Sequence, residues 1–408
     1  MVKRIAAVLA ILALPTLLGV TISASVDDNA RQGSFTVHEW GTFTSVAGPD
    51  GKTAQWLPLA GPTDLPCFVE QFQNRLFKDI GPIAADIQKN PIDYNKARTQ
   101  LLGPIRMETP VLYFYSAKPE SATVRVAFPK GFITEWYPSA TLNQTPVRAG
   151  VLQKSKNTGA TIVWKNVQVL PRESSVAFPQ GSTASHYYSA RETEANPVRV
   201  NDQNEKFLFY RGVGGFPVPV NVTVTDSGKI RIKYLAGKPH AILFESRGGK
   251  LGYTVLDTSK SEVVLDTPAL TGNFDALRAE LEAALVSQGL FAKEAAAMVK
   301  TWRDSWFEEG TRLFYIVPSA MVDEILPLTI QPKPANVARV FVGRVEVFTP
   351  STINAVEKAV YANDKTVIAT YGRFLGPILE RVPDSQRASA VLDAAFKTYI
   401  NQPGSCGK

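Results

Sequence analysis

Short runs rich in aromatic and β-branched residues recur from Ser34 to about Asp266, separated by glycine, proline and asparagine. This spacing predicts many short strands joined by turns, as in a β-sandwich. Asp226-Ser227-Gly228, between two of the runs, is typical of a hairpin turn. One helix is predicted to interrupt the series, over Phe68–Phe77. The predicted strands are Phe35–Val46, Val111–Tyr115, Thr123–Phe128, Thr161–Leu170, Lys206–Arg211, Val220–Thr225, Lys229–Tyr234, His240–Glu245 and Leu251–Leu256.

The pattern changes after Thr271, where apolar residues take helical spacing and Asn273 is placed to cap the first helix. A chain of 408 residues suits two domains better than one. We therefore predict an α+β protein, with a β-sandwich-like domain over 26–270 (one sandwich or two) and a mainly helical domain over 271–408. The predicted elements of the second domain are helices Phe274–Gln288, Ala292–Glu309, Thr352–Asn363, Lys365–Glu380 and Asp384–Asn401, and strands Arg312–Val317 and Arg339–Phe348.

The amino terminus has the features of a secretory signal peptide. Lys3 and Arg4 precede an apolar run from Ile5 to Val20, and small residues follow up to Ser25. The run is shorter than the ~20 residues that span a bilayer comfortably. We predict a cleaved signal over 1–25, a periplasmic or extracellular location and no membrane span after cleavage, with an uncleaved anchor as the alternative.

Charge and cysteine content narrow the function classes. The net charge of +7 is spread along the chain without a run of lysine or arginine, so nucleic acid is not a predicted partner. The two cysteines, Cys67 and Cys406, lie near opposite ends of the chain. In an oxidising compartment they pair if the fold brings them together, and otherwise they remain separate thiols.

Three glutamates stand in apolar surroundings. Alternation along a strand places Glu39 on the same face as Val37 and Phe43. An unpaired buried carboxylate is too costly, so Glu39 must be ion-paired, metal-bound or protonated. The same alternation places Glu135 on one face with Ile133 and Tyr137. The third, Glu108, lies at the entry to the apolar run Val111–Tyr115.

These glutamates allow two interpretations. Hydrolysis of a glycosidic bond requires two carboxylates in different environments, and aromatic rings stack against sugars. Alternatively, each glutamate forms a buried ion pair with an arginine, for which Arg106, Arg125 and Arg344 are candidates. On the first interpretation the catalytic candidates are Glu39, Glu108 and Glu135, and the binding candidates are His38, Trp40, Trp136, Tyr137 and Arg106.

Metal chemistry has little support in the sequence. The three histidines, His38, His186 and His240, are enough for a zinc or copper site, but no HxH or HExxH spacing is present. We predict no metal site and leave any cofactor open. The stripe of Met298, Trp302 and Trp306 is expected to pack in a core, and Arg344 and Glu346 to pair on one face of a strand.

Several motifs together resemble a family of uncharacterised exported bacterial proteins. They are Val37-His38-Glu39-Trp40-Gly41-Thr42-Phe43-Thr44-Ser45, Arg106-Met107-Glu108-Thr109-Pro110-Val111-Leu112-Tyr113 and Glu135-Trp136-Tyr137-Pro138, with further similarity in Trp302-Arg303-Asp304-Ser305-Trp306-Phe307 and Val342-Gly343-Arg344-Val345-Glu346. The resemblance covers most of the chain after the leader. It implies export to the envelope, and it brings no activity, substrate or cofactor with it.

Two functions follow as hypotheses. The first is a non-catalytic envelope protein that binds or organises a surface polysaccharide or a partner protein. It depends on the export signal, the β-rich pattern and the lack of a specific catalytic motif in the sequence. The alternative is a carboxylate-based glycan hydrolase or a metal-assisted enzyme centred on His38, Glu39, Glu108 and Glu135.

Overall fold

The computed structural model describes residues 34–60, 65–71, 101–144, 159–181 and 184–400 of the chain. The protein is α+β, with sheets in its N-terminal part and helices in its C-terminal part, as the sequence predicts. The predicted signal peptide and Cys406 lie outside the described residues, as do residues 72–77 of the helix predicted at Phe68–Phe77. Among the described residues, each helix is too short or too polar to cross a bilayer.

The described residues form eighteen strands, eight α-helices and two 3-10 helices. The strands are β1 (Thr36–Val46), β2 (Glu70–Gln71), β3 (Ile105–Tyr115), β4 (Glu120–Phe128), β5 (Gly131–Tyr137), β6 (Thr141–Gln144), β7 (Ala160–Val169), β8 (Val198–Val200), β9 (Gln203–Glu205), β10 (Leu208–Gly214), β11 (Val220–Val224), β12 (Ile230–Tyr234), β13 (Ala241–Arg247), β14 (Lys250–Val255), β15 (Glu262–Leu265), β16 (Gly310–Ile316), β17 (Leu328–Gln331) and β18 (Asn336–Val347). The helices are α1 (Phe274–Ser287), α2 (Ala292–Thr301), α3 (Arg303–Trp306), α4 (Ser319–Ile325), α5 (Pro350–Ala362), α6 (Lys365–Thr370), α7 (Leu375–Leu379) and α8 (Ser385–Ile400), with 3-10 turns at His186–Arg191 and Gly372–Phe374.

A nine-stranded sheet forms the centre of the molecule, in the order β14-β13-β16-β18-β1-β3-β10-β5-β2. The central strand β1 pairs antiparallel with β3 and parallel with β18, so that Thr36 lies opposite Asn336 and Val46 opposite Glu346. The sheet therefore joins strands from both sides of residue 270. Two smaller sheets complete the β structure, in the orders β11-β12-β15 and β17-β4-β7-β8-β9, with β6 also paired to β7.

Both faces of the central sheet are buried. Val37 and Phe43 of β1 belong to one core, which they share with Val124 and Trp164 of the smaller sheets. We call this the sheet-side core. Trp40, on the opposite face of β1, belongs to a second core that contains side chains of α1 and α2, and we call it the helix-side core. Because both faces are covered, every residue of β1 is buried.

The C-terminal helices pack at the carboxyl end of β1. Val46 and Phe348 lie in a third core with Val356 of α5 and Ile378 of α7. Trp56 stacks on Phe374 there, with ring centroids 5.3 Å apart. This helical layer closes the end of the sheet at which β1 and β18 both finish.

Several local predictions are confirmed. The Asn273 side chain accepts a hydrogen bond from the backbone N–H of Ala276 and so caps α1. The turn at residues 226–228 joins β11 to β12. Met298, Trp302 and Trp306 are buried in the helix-side core, where Val340 and Val342 of β18 also lie.

Three helix predictions are wrong in part. Phe68–Val69 forms a turn and Glu70–Gln71 a strand, because this segment pairs with β5. The helix predicted over Ala292–Glu309 ends at Thr301, with only the short α3 beyond it. The helix predicted over Lys365–Glu380 is divided near Gly372, whose φ of 46° no α-helix accommodates.

Candidate functional site

A row of register shifts crosses four neighbouring strands at one level of the central sheet. Trp40 and Thr42 of β1 face Val111 and Glu108 of β3, so Gly41 stands opposite the two residues Thr109 and Pro110. A Cβ on Gly41 would lie 2.7 Å from a ring carbon of Phe341, so only glycine fits at this point. The ladders from β3 to β10 and from β10 to β5 shift at the same level. Such bulges reverse the alternation of side chains between the two faces.

These shifts place charged side chains together on the helix-covered face of the sheet. Glu108 accepts hydrogen bonds from Thr44 and Arg373, and its Oε1 lies 3.3 Å from Arg106 Nε. Arg211 lies opposite Glu135 across the β10–β5 ladder. Arg344 Nη1 and Arg373 Nη2 both donate to Ser305 Oγ, each at 3.1 Å. We call this group the arginine–glutamate cluster; its members are Arg106, Glu108, Glu135, Arg211, Arg344, Glu346 and Arg373.

The arginines of the cluster hold the carboxylate of Glu108 ionised. Burial works against the charge of Glu108, but Arg373 and Arg106 outweigh it and lower the pKa of Glu108 below its ordinary value. Burial lowers the pKa of Arg106 to about 10, with Glu108 opposing this shift and Arg211 adding to it. A general acid needs a raised pKa, so the environment of Glu108 suits an ion pair rather than proton donation.

Glu39 lies on the other face of β1 and belongs to a separate group. Its two carboxylate oxygens accept from Tyr210 Oη and Arg339 Nε, each at 2.6 Å. Arg339 also donates from Nη1 to Asp323 Oδ1 at 2.8 Å. Burial would lower the pKa of Arg339, but the Glu39 carboxylate raises it above its ordinary value. The expectation that a buried Glu39 needs a partner is confirmed.

The predicted partners and faces need correction. Arg125 is exposed, and Arg344 forms a hydrogen bond to Glu346, the pair expected on β18, at 2.6 Å. Arg339, which was not among the predicted arginines, pairs with Glu39 instead. Glu135 was expected to share a face with Ile133 and Tyr137, but these two belong to different cores. The register shift between Arg211 and Gly212 separates them.

His38 is buried against α2 and β3, with 2 % of the residue exposed. Its Nδ1 lies 2.7 Å from Glu294 Oε2, and the same oxygen accepts the backbone N–H of Phe291 at 2.8 Å. Its ring packs on Phe291, with centroids 4.5 Å apart. His38, one of the predicted binding residues, is therefore buried, because helix α2 covers this face of the sheet.

The other two histidines lie at different places. His186 is 3.7 Å from Asp304, and His240 is 3.4 Å from Glu280. Each of the three histidines thus faces its own carboxylate. Within the described part of the chain, no three histidine, cysteine, aspartate or glutamate side chains converge in a way that would hold a metal ion.

The three aromatic binding candidates are all buried. Trp40 packs beside Tyr113 in the helix-side core, with ring centroids 6.0 Å apart. Trp136 lies in the sheet-side core, and Tyr137 packs against Phe68. In this arrangement none of the three rings presents an open face on which a sugar would stack.

An open pocket of about 530 Å³ lies at the amino-terminal end of β18. The end of β16, residues 288–289, residues 335–340 and His38 contribute to its lining. Among the described residues, no aspartate or glutamate lines it. The polar side chains along it are His38, Gln288, Ser319, Asn336 and Arg339.

Sequence reasoning missed this pocket. One feature of the sequence could have indicated the pocket: the predicted strand Arg339–Phe348 is longer than the predicted strand Arg312–Val317. If the two strands pair, the longer one must extend past the shorter. That the two do pair is visible only in the fold. Arg211, Glu294 and Arg373 were missed because their partners lie far away in sequence or across a bulge.

The chain was compared with known proteins as well. No protein-family model matches it, and no curated protein matches it either.

Proposed function

We propose that this chain is an exported envelope protein that binds a surface polymer or a partner protein without transforming it. One observation carries the proposal most directly. Glu39, Glu108 and Glu135, the carboxylates best placed in the sequence for hydrolysis, are all buried, and their oxygens accept from arginine, tyrosine or threonine side chains. Carboxylates engaged in this way stabilise the fold, and a ligand has no access to them.

The binding surface in this proposal is the open pocket. It is large enough for a segment of a ligand, and it is lined by neutral and basic side chains in contrast to the closed arginine–glutamate cluster. Recognition at such a site requires hydrogen bonding and shape, with no proton transfer. The absence of a carboxylate from its walls favours binding over acid–base hydrolysis there.

A retention assay tests binding against turnover. Purified protein is incubated with cell-wall polysaccharide and, separately, with solubilised envelope proteins, and the ligands are then analysed by mass spectrometry. We expect saturable retention and chemically unchanged ligands. New reducing ends or cleaved peptides that disappear in a folded Glu108→Gln or Glu135→Gln variant would replace this proposal with the hydrolase alternative.

Export is tested on the same protein. The full-length chain is expressed in a bacterium, and the envelope fraction is examined by intact-mass measurement. We expect a mature form that begins near Val26. A full-length mass confined to the cytoplasm would contradict the export part of the proposal.

A further inference from the structure

Strand β18 extends beyond its neighbour β16. The β16–β18 ladder runs from Thr311 opposite Val347 to Ile316 opposite Val342, and a last hydrogen bond joins Val317 N to Phe341 O at 2.8 Å. Pro318 follows, and the chain turns into α4. Because proline has no N–H to donate, the ladder stops there. Among the described residues, no strand pairs with Asn336–Val340 on the side away from β1; we call this stretch the open edge.

The direction of the main-chain groups on the open edge follows from two hydrogen bonds. Ala47 N donates to Glu346 O at 2.9 Å, so Glu346 points its peptide groups toward β1. Phe341 O accepts from Val317 and points the opposite way. Ala335, whose N–H donates to Phe35 O at 2.8 Å, precedes the strand. From Asn336 onward the register with β1 is unbroken and successive residues alternate, so Val337 and Arg339 direct their N–H and C=O groups away from β1. These groups meet the open pocket, whose wall contains both residues.

The exposed fractions of Val337 and Arg339 agree with main-chain groups that point away from β1. The Val337 residue is 48 % exposed, although it lies in a strand of the central sheet. The side chain of Arg339 is only 6 % exposed, yet the residue as a whole is partly exposed, so the accessible part of Arg339 lies mainly on its main chain. The open edge is five residues long, on the order of 15 Å at the usual rise of a strand.

The chemistry of the wall favours a neutral hydrogen-bonding ligand. Arg339 already faces the two carboxylates of Glu39 and Asp323, and its buried Nη2 has no hydrogen-bond partner among the described residues. A third carboxylate there would add negative charge to a group that already contains two carboxylates and one guanidinium. A peptide is neutral, and it brings main-chain donors and acceptors to the open edge without adding charge.

We infer that the open edge binds an extended segment of a partner protein, which adds a strand beside Val337–Arg339. Main-chain hydrogen bonds to Val337 and Arg339 supply the register, and side chains of the added segment enter the space between Gln288 and Ser319. This inference rests on the proposed binding function and names the class of its partner. A polysaccharide lacks the regular alternation of donor and acceptor that a strand edge matches.

The first test selects ligands by main-chain recognition. A library of random short peptides is displayed and selected against the full chain, with Val337→Pro as the matched counter-target. Proline at position 337 removes an N–H that points into the pocket and leaves the bonds to β1 in place, so the variant is expected to fold. Selected peptides should bind the unmodified protein at least about tenfold more tightly than Val337→Pro in calorimetry.

A second arm needs no protein variant. Each selected peptide is resynthesised with N-methyl groups on alternate residues, in both phases. Methylation in the phase that faces β18 should abolish binding, and methylation in the other phase should leave it largely intact. Equal binding by both methylated forms, or equal binding to Val337→Pro, would overturn the inference. A failure to enrich any peptide over the counter-target would overturn it as well.

Amide hydrogen exchange shows whether the edge is available. In the free protein at low concentration, the amides of Val337 and Arg339 should exchange rapidly and become protected when a selected peptide binds. Slow exchange in the free protein would mean that another part of this chain or a second copy already covers the edge, and the inference would fail. Neither result bears on retention by envelope polymers or on turnover, so the proposed function is judged separately.

Discussion

The two ends of β1 differ in what surrounds them. At its carboxyl end, the arginine–glutamate cluster contains many charges, and every one has an opposite charge or a hydroxyl close by. At its amino end, the open edge has few charges but leaves main-chain donors and acceptors directed into a pocket. The charged region resembles an active site in composition, but the neutral region is the one that opens onto a pocket. Access and unsatisfied bonding therefore indicate a binding site better than the density of ionisable residues does.

Among the variants that test this contrast between the two ends of β1, Glu108→Gln should have the largest effect. If the cluster stabilises the fold, this change leaves Arg373 and Arg106 without their carboxylate and should lower the free energy of unfolding by about 3 to 5 kcal/mol. The matched control is Glu324→Gln, which removes an exposed partner of Lys130 and should cost less than about 1 kcal/mol. Urea denaturation measures the free energy of unfolding of both variants. Equal stability of the two variants would mean that the cluster is not structural.

The stabilisation that Glu108 gains from Arg373 and Arg106 should depend on pH. The folded-state pKa of Glu108 is lowered, so its contribution to stability is complete above the unfolded value, near 4.3, and is lost as the pH falls through the folded value. The stability difference between the unmodified protein and Glu108→Gln should therefore stay constant from neutral pH to about pH 5 and then shrink in more acidic solution. Denaturation curves at a series of pH values check this. A difference that grows on acidification would contradict the sign of the shift.

Two proline variants test which main-chain N–H groups of β18 point toward β1 and which point toward the open edge. Ala338→Pro removes an N–H that points toward β1, and the lost bond and its unpaired acceptor should together cost on the order of 2 to 4 kcal/mol. Val337→Pro removes an N–H on the open edge and should cost clearly less. Thermal unfolding measures the stability of both variants. The reverse order would show that the assigned direction of the main-chain groups is wrong.

A smaller effect is expected at the buried pair of His38 and Glu294. Glu294→Gln weakens a charge-assisted hydrogen bond to His38 and the bond from Phe291 N, at a cost of about 1.5 to 3 kcal/mol. Its control is Glu280→Gln, because Glu280 and His240 form a similar pair that is partly exposed and contributes less than about 1 kcal/mol. If the two variants unfold at the same temperature, the enclosure of His38 adds nothing to stability.

The sequence predicts those features that depend on local pattern. Alternation along β1 was enough to show that Glu39 must be paired, and helical spacing was enough to place Trp302 and Trp306 in a core. Most of the strands and the cap at Asn273 follow from the same kind of evidence.

Other features depend on contacts between distant segments. Arg339 reaches Glu39 only because β1 and β18 pair in parallel, and no local signal encodes that register. Glu108 and Arg211 come together through bulges, which reverse the alternation on which the prediction was built. The pocket exists because β16 stops before β18 does, and this is a property of two strands and not of either one.

The parallel pairing of Thr36 with Asn336 has a consequence for synthesis of the chain. The central strand is synthesised first, and its neighbour β18 follows three hundred positions later, on the order of 15 to 60 s at ordinary rates of translation. During that interval the apolar residues of β1 have no permanent cover on the β18 side. Folding is thus delayed until almost the whole chain has left the ribosome, and contacts of such long range close slowly. A truncation before β18 would abolish the fold and not merely shorten it.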